Sequence, residues 1–327
     1  MPSRARRAAA AALLLLASAC DRACPRRAGQ TLDLLAAFGE ADLRADGLDL
    51  PALAADPFFE KRGFGPLEGR GASRLAWMLG GSSRLRLPFH TTGDKELRLT
   101  ARCHESLGPS LELAVSLNDS PLGSIVLTPA DQELRIALPS ALQVRGDNVL
   151  AFVSPRRREP GPGDADRRAL VAAVSRLEVR PLGTAARPAL PTLQDGRLLL
   201  TPGSSVGYYL RLPAGARLRG ELVGGGAGAL ARLVAEDDAH RASLAELPAS
   251  PRGSGLDVSL ADRAGAILRL ELASEGESAL SVPSLRLESP GRGPAPRGPV
   301  AGLPARPNLI VYLVDTLRAD VLGAYGV

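Results

Sequence analysis

The sequence predicts a mainly β protein: two antiparallel β-sandwich, jelly-roll-like domains behind a signal peptide and a short helix, then the first strand and helix of a truncated α/β domain. Three observations predict it. From about Arg74, apolar residues recur with period two in many short runs, which suits strands with one buried face. Turn-forming residues separate those runs at regular intervals, the layout of an antiparallel sandwich. The last twenty-one residues change to a continuous apolar run ending in a polar pair, as in a strand covered on both faces.

Residues 1–19 read as a secretory signal peptide. Arg4, Arg6 and Arg7 precede an apolar core from Ala8 to Leu16, too short for a membrane span. Ala17-Ser18-Ala19-Cys20 resembles a bacterial lipobox, which makes Cys20 the candidate lipidation site and residues 20–30 a tether. The same small residues suit ordinary signal-peptidase cleavage. The expectation is an exported lipoprotein anchored to a bacterial membrane through Cys20 and facing the periplasm or cell surface, with a secreted protein as the alternative. Cys24 and Cys103 are the other cysteines, too few for a disulfide framework in a chain of 327 residues that can bury its own core. A Cys24–Cys103 bond stays open. His90, His104 and His240 are scattered, with no partner at metal-ligand spacing.

The formal charge is +5 and the pI about 9.5. Every basic residue except Lys61 and Lys95 is arginine, dispersed among Ala, Gly, Pro and Leu, and aromatics make up only 3%. With no basic stripe interleaved with rings, nucleic acid is not an expected partner. The densest cluster, Arg156-Arg157-Arg158 with Arg167-Arg168, sits among Pro160, Gly161, Pro162, Gly163, Asp164 and Asp166. It reads as a solvated loop, against the sharper alternative of an anionic-ligand site.

Within residues 31–73, Leu32, Leu35, Ala36 and Phe38 have helical spacing behind Thr31 as a cap, so a short amphipathic helix over 31–43 and an irregular lead-in are expected. The first sandwich is placed at 74–182. Its runs include Leu85/Leu87/Phe89, Leu97/Leu99, Leu111 to Leu117, Ile125/Leu127, Leu134 to Leu138, Val149 to Val153 and Leu177/Val179. Turns are expected at Thr92-Gly93-Asp94, Asn118-Asp119-Ser120, Pro129-Ala130-Asp131 and Arg145-Gly146-Asp147-Asn148. The layout resembles the galactose-binding-type jelly rolls that accompany many carbohydrate-active enzymes. Trp77, the one tryptophan, is a candidate sugar-stacking platform or a packing residue. A second sandwich at 190–288 follows from runs near Leu198, Val206, Arg217, Ala231, Leu256, Ile267 and Leu285. Gly224-Gly225-Gly226 reads as a loop, since no phosphate-binding helix pattern follows it.

Residues 289–306 read as a linker, because Pro290 to Pro307 holds ten Pro or Gly in eighteen residues. In residues 307–327 stand Pro307, Asn308, an apolar strand from Leu309 to Val314, Asp315, Arg318, Asp320, Leu322, Gly323, Tyr325 and Gly326. By residue type alone, Asp315 and Thr316 between a strand and a helix are good caps. The spaced set, however, resembles the opening motif of the sulfatases of the alkaline-phosphatase superfamily. The resemblance implies that Asp315 binds the active-site metal, a divalent ion, calcium, held in a full-length parent and not by this fragment. It also implies a downstream Cys or Ser in a C/S-x-P-x-R signature, converted to formylglycine for attack on a sulfate ester. No such signature occurs; Cys24-Pro25-Arg26 and Ser281-Val282-Pro283-Ser284-Leu285 only approach it. No catalytic residue is therefore assigned, and the expected function is the non-catalytic front portion of an exported sulfatase-like hydrolase, inactive as written. The alternatives are an anchored glycan-binding or interaction module, and a fragment of a phosphatase or phosphotransferase of the same superfamily. Besides the membrane, a glycan or sulfated substrate is the expected partner.

Overall fold

The computed structural model describes residues 30–51, 61–71, 74–183, 189–237 and 240–290. The expected signal peptide, the expected tether up to Gly29, the expected linker beyond Pro290 and the strand and helix expected at 307–327 lie outside the described residues.

The chain begins with β1 (Gln30–Asp33) and β2 (Asp42–Ala45). It continues with β3 (Leu48–Pro51), β4 (Lys61–Arg62), β5 (Phe64–Glu68), β6 (Leu75–Leu79), β7 (Ser82–Phe89) and β8 (Lys95–Cys103). Next come β9 (Leu111–Leu117), β10 (Ser120–Leu127), β11 (Gln132–Leu138), β12 (Gly146–Val153) and β13 (Leu170–Pro181). The rest are β14 (Thr192–Gln194), β15 (Arg197–Leu200), β16 (Ser204–Arg211), β17 (Arg217–Gly224), β18 (Leu230–Glu236), β19 (Arg241–Pro248), β20 (Ser254–Ser259), β21 (Ile267–Ser274) and β22 (Leu280–Ser289).

These strands form two jelly-roll-like β-sandwiches of antiparallel strands. In the first, a sheet ordered β5-β6-β13-β8-β11, with β3 also on β13, faces a sheet ordered β4-β7-β12-β9-β10. In the second, β14-β15-β22-β17-β20, with β1 on β22, faces β2-β16-β21-β18-β19. The alternation seen in sequence sets the packing. On β9, Leu111, Leu113, Val115 and Leu117 point inward to meet Leu85, Leu87, Leu97, Leu99 and Phe152 in one core. On β21, Leu268, Leu270 and Leu272 do the same in the other.

The two sandwiches share one topology. Taken in sequence, β3 to β13 match β1, β2 and β14 to β22 one for one, with the same neighbours in each sheet. The second sandwich is discontinuous, because its first two strands precede the whole of the first. Gln30 is the register partner of Ser289, so the chain enters and leaves this body on adjacent strands.

This arrangement corrects the expectation for residues 31–73. No amphipathic helix forms over 31–43: Thr31 and Leu32 lie in β1, and Phe38–Glu40 is a 3-10 turn. Asp33 Oδ1 accepts from Leu35 N at 3.0 Å and Ala36 N at 3.2 Å, closing an Asx turn, while Leu34 N donates to Leu285 O at 2.9 Å. Sheet pairing with β22 satisfies this backbone, and the helical spacing of Leu32, Leu35 and Phe38 is that of a strand running into a tight turn. Residues 48–51 and 61–68 are strands of the first sandwich, where an irregular lead-in was expected. The turn expected at Arg145 to Asn148 is shorter, since β12 already starts at Gly146.

Candidate functional site

Trp77 stands on β6 between the core residues Ala76 and Met78, so alternation turns its indole to the outside of the sheet, where it is half-buried. Its register partner on the long strand β13 is Ala173. On the other side of β13, β8 ends at Cys103, and His104 follows with its N–H donated to Val171 O at 3.0 Å. The two rings meet across β13, with centroids 5.5 Å apart and planes inclined at 49°. Ala173 beneath them is 2% exposed. Burial and the nearby Arg158 charge lower the pKa of His104, which favours the neutral imidazole.

The connection from β12 to β13 borders this pair. Arg158 pairs with Asp164, and Arg168 pairs with Glu68 and, at 2.6 Å, with Asp166. Hydrogen bonds from Arg168 hold the Asp166 carboxyl well below the usual carboxylate range. Arg156 donates to Leu107 O at 2.9 Å and Ser110 O at 2.5 Å. The arginine cluster thus folds its own loop, with each of these side chains engaged inside the first sandwich.

The shared topology supplies an internal comparison. In the second sandwich, the residue opposite Ser281 on β15 is Leu199, and Gly225 donates to Ala279 O at 2.8 Å as His104 does to Val171 O. Leu199 and Gly225 therefore stand where the first sandwich has Trp77 and His104. The scaffold does not require the rings.

A second polar cluster joins the sandwiches. On β21, Arg269 and Glu271 point away from their own core, toward the first sandwich, yet are 2% and 0% exposed. Arg269 Nε donates to Asp42 Oδ2 at 2.8 Å and its guanidinium pairs with Glu271. Arg145, from the first sandwich, donates to Glu236 Oε2 at 2.9 Å, to Glu271 Oε2 at 2.5 Å and to His90 O at 2.9 Å. His90 Nδ1 lies 3.0 Å from Ser205 Oγ, and Asp46 Oδ1 accepts from Thr91 N at 2.7 Å. Burial works to raise the Asp42 pKa, but Arg269 and Arg44 overcome it and hold the carboxyl below its usual range. Burial brings Arg269 down to about 10, so it stays charged near neutrality. Opposite charges are matched here, although Arg44 Nη1 and Arg269 Nη2 make no hydrogen bond, and we read the cluster as a joint.

Cys20, Cys24, Asp315 and Thr316 lie outside the described residues. Cys103 is a free thiol buried in the first core, and burial pushes its pKa up. His90, His104 and His240 stand in three different settings: the joint, the ring pair and the exposed start of β19. Among the described residues, no group of three His, Cys, Asp or Glu side chains is placed to hold a metal ion. A cleft of about 170 Å³ opens between the free edges of β10 and β11, lined by Leu122, Ile125, Arg135 and Ile136. In the sequence Trp77 stands out by its rarity, whereas the one signal of His104 is its place just past the alternating run of β8.

No protein-family model matches the chain, and no curated protein matches it. Among solved structures, it is similar to the N-terminal CBM22-1–CBM22-2 tandem domain of Xyn10C from Paenibacillus barcinonensis, at 11% identity and a TM-score of 0.30 over 75% of this chain and 98% of that one. It is also similar to the C-terminal CBM6 of the marine laminarinase LamC from Zobellia galactanivorans, at 8% identity and 0.27 over 41% and 98%. A family 35 carbohydrate binding module from Clostridium thermocellum gives 10% identity and 0.27 over 42% and 99%.

Proposed function

We propose that the described body is a binding module and that its first sandwich takes a glycan on the Trp77–His104 surface. The observation that carries this reading is the internal comparison: two sandwiches of one topology, of which only the first places an indole and an imidazole on its outer face. A sugar presents an apolar C–H face that stacks on an indole, while its hydroxyls remain free for water and polar neighbours. On this reading the chain is an exported adhesive or targeting piece, anchored through Cys20, and does no chemistry itself.

The test uses the single tryptophan of the chain as its own reporter. Titration of the full chain with soluble plant and algal polysaccharides should shift Trp77 emission. Trp77→Ala should abolish retention on the same polysaccharide while leaving the unfolding transition in place. Equal retention by the variant would remove the site.

A second reading is favoured by the motif from Pro307 to Gly326: the front of a sulfatase-like hydrolase in which Asp315 holds a divalent ion. Its test lies in the gene downstream of the Val327 codon, where an in-frame C/S-x-P-x-R supports it. In a longer product, Asp315→Ala should lower both metal content and sulfate-ester hydrolysis.

A further inference from the structure

We propose that the ligand of the Trp77–His104 surface is a neutral sugar, not a sulfated or otherwise anionic one, an inference that rests on the binding reading above. An anionic ligand is held by cations or amide donors whose capacity is not already spent, since removing a charge from water without a partner is unfavourable.

Three guanidinium groups beside the rings, on β8 and the β12–β13 connection, are already paired with carboxylates. Arg158 faces Asp164, and Arg168 lies between Asp166 and Glu68. Arg102, the β8 neighbour of Ala173, reaches Asp131 at 3.2 Å. Drawing any of these onto a sulfate would give up an ion pair already made. Glu105, next to His104 and exposed, adds a negative charge at the rim. Arg70 and Arg74 lie between β5 and β6 in sequence, and Arg74 is three residues from Trp77, or about 10 Å along a strand. What remains at the centre is an aromatic surface flanked by paired polar groups, suited to an uncharged pyranose face.

The experiment titrates the full chain with glucan, xylan, galactan and mannan, each unmodified and O-sulfated, at low and high salt, while Trp77 emission is followed. The expected result is that at least one neutral form shifts the emission with an affinity nearly independent of salt. Its sulfated form should bind about tenfold or more weakly. Equal or tighter binding of a sulfated form, weakening with salt, overturns the neutral assignment and leaves glycan binding at Trp77 intact. No emission change with any polymer in either form overturns the binding reading and this inference with it.

Discussion

Gly207 on β16 leaves open the space that the Arg269 guanidinium fills: a Cβ on Gly207 would lie 2.4 Å from Arg269 Cζ, Nε and Nη2. The register explains why. Gly207 pairs with Glu271 on one side and Asp42 on the other, the two acids that Arg269 joins. Gly207→Ala should therefore push Arg269 out of its pairs and leave buried carboxylates uncompensated, lowering stability by about 3 kcal/mol. Urea unfolding of the variant checks this. A midpoint within error of the parent would mean that Arg269 has other room to move.

His90 makes the joint between the sandwiches sensitive to acid. Burial, with the charges of Arg145, Arg241 and Arg269, overcomes the pull of Asp46 and brings its pKa down to about 4 from 6.5. Glu271 and Glu275 also face the imidazole, at 3.7 and 4.0 Å, but they are engaged by Arg145 and Arg269, and by Arg232. The folded chain thus holds the neutral ring, whereas the unfolded chain takes up a proton below pH 6.5. Stability is complete above that pH and declines as pH falls toward 4, by about 2 kcal/mol between pH 7 and 5. His90→Gln, which cannot titrate, should lose that part of the dependence. Parallel pH profiles for the two proteins would show that His90 is not the group responsible.

The turn between β9 and β10 offers a gain. Asn118 and Asp119 both have positive φ, 51° and 65°, the signature of a two-residue type I′ turn. Asn118 is held by its side chain, whose Oδ1 accepts from Val149 N at 2.9 Å. Asp119 is exposed and holds a left-handed backbone that glycine adopts without strain. Asp119→Gly should stabilise by about 0.5 kcal/mol, read as a higher urea midpoint with unchanged slope.

Much of this fold was legible because alternation is a local signal. The run Leu111 to Leu117 and the Asn118-Asp119 turn announce a hairpin, and β9 and β10 form it. Leu268-Arg269-Leu270-Glu271-Leu272 announces a strand equally well, but its polar side reads as solvent-facing. Periodicity tells which residues face a strand's own core and is silent on what covers the other side, so the buried joint could not be foreseen. Residues 30–45 were misread for a related reason: their partners, β22 and β16, lie more than 150 residues away in sequence. Trp77 was visible by its rarity, but its contact with His104 depends on β13 passing between β6 and β8.

The same nesting decides which fragment can fold. A piece cut at Arg74 and ending at Glu288 holds most of the recognisable strand runs and looks sufficient by sequence, yet it lacks β1 to β5. It loses Leu34, Leu35 and Leu43 from the second core and Leu48 and Leu50 from the first, each at most 8% exposed in the intact body. At about 2 kcal/mol per buried leucine the loss is on the order of 10 kcal/mol, comparable to the whole stability of a domain. The cut also removes Asp42 and Arg44 from the joint, leaving Arg269 without its 2.8 Å partner. Residues 30–290 should therefore unfold in one cooperative transition, whereas 74–288 should give no sharp transition and should expose apolar surface to a dye such as ANS. A sharp transition and native near-ultraviolet dichroism from 74–288 would show that β1 and β2 are dispensable additions to the second sandwich.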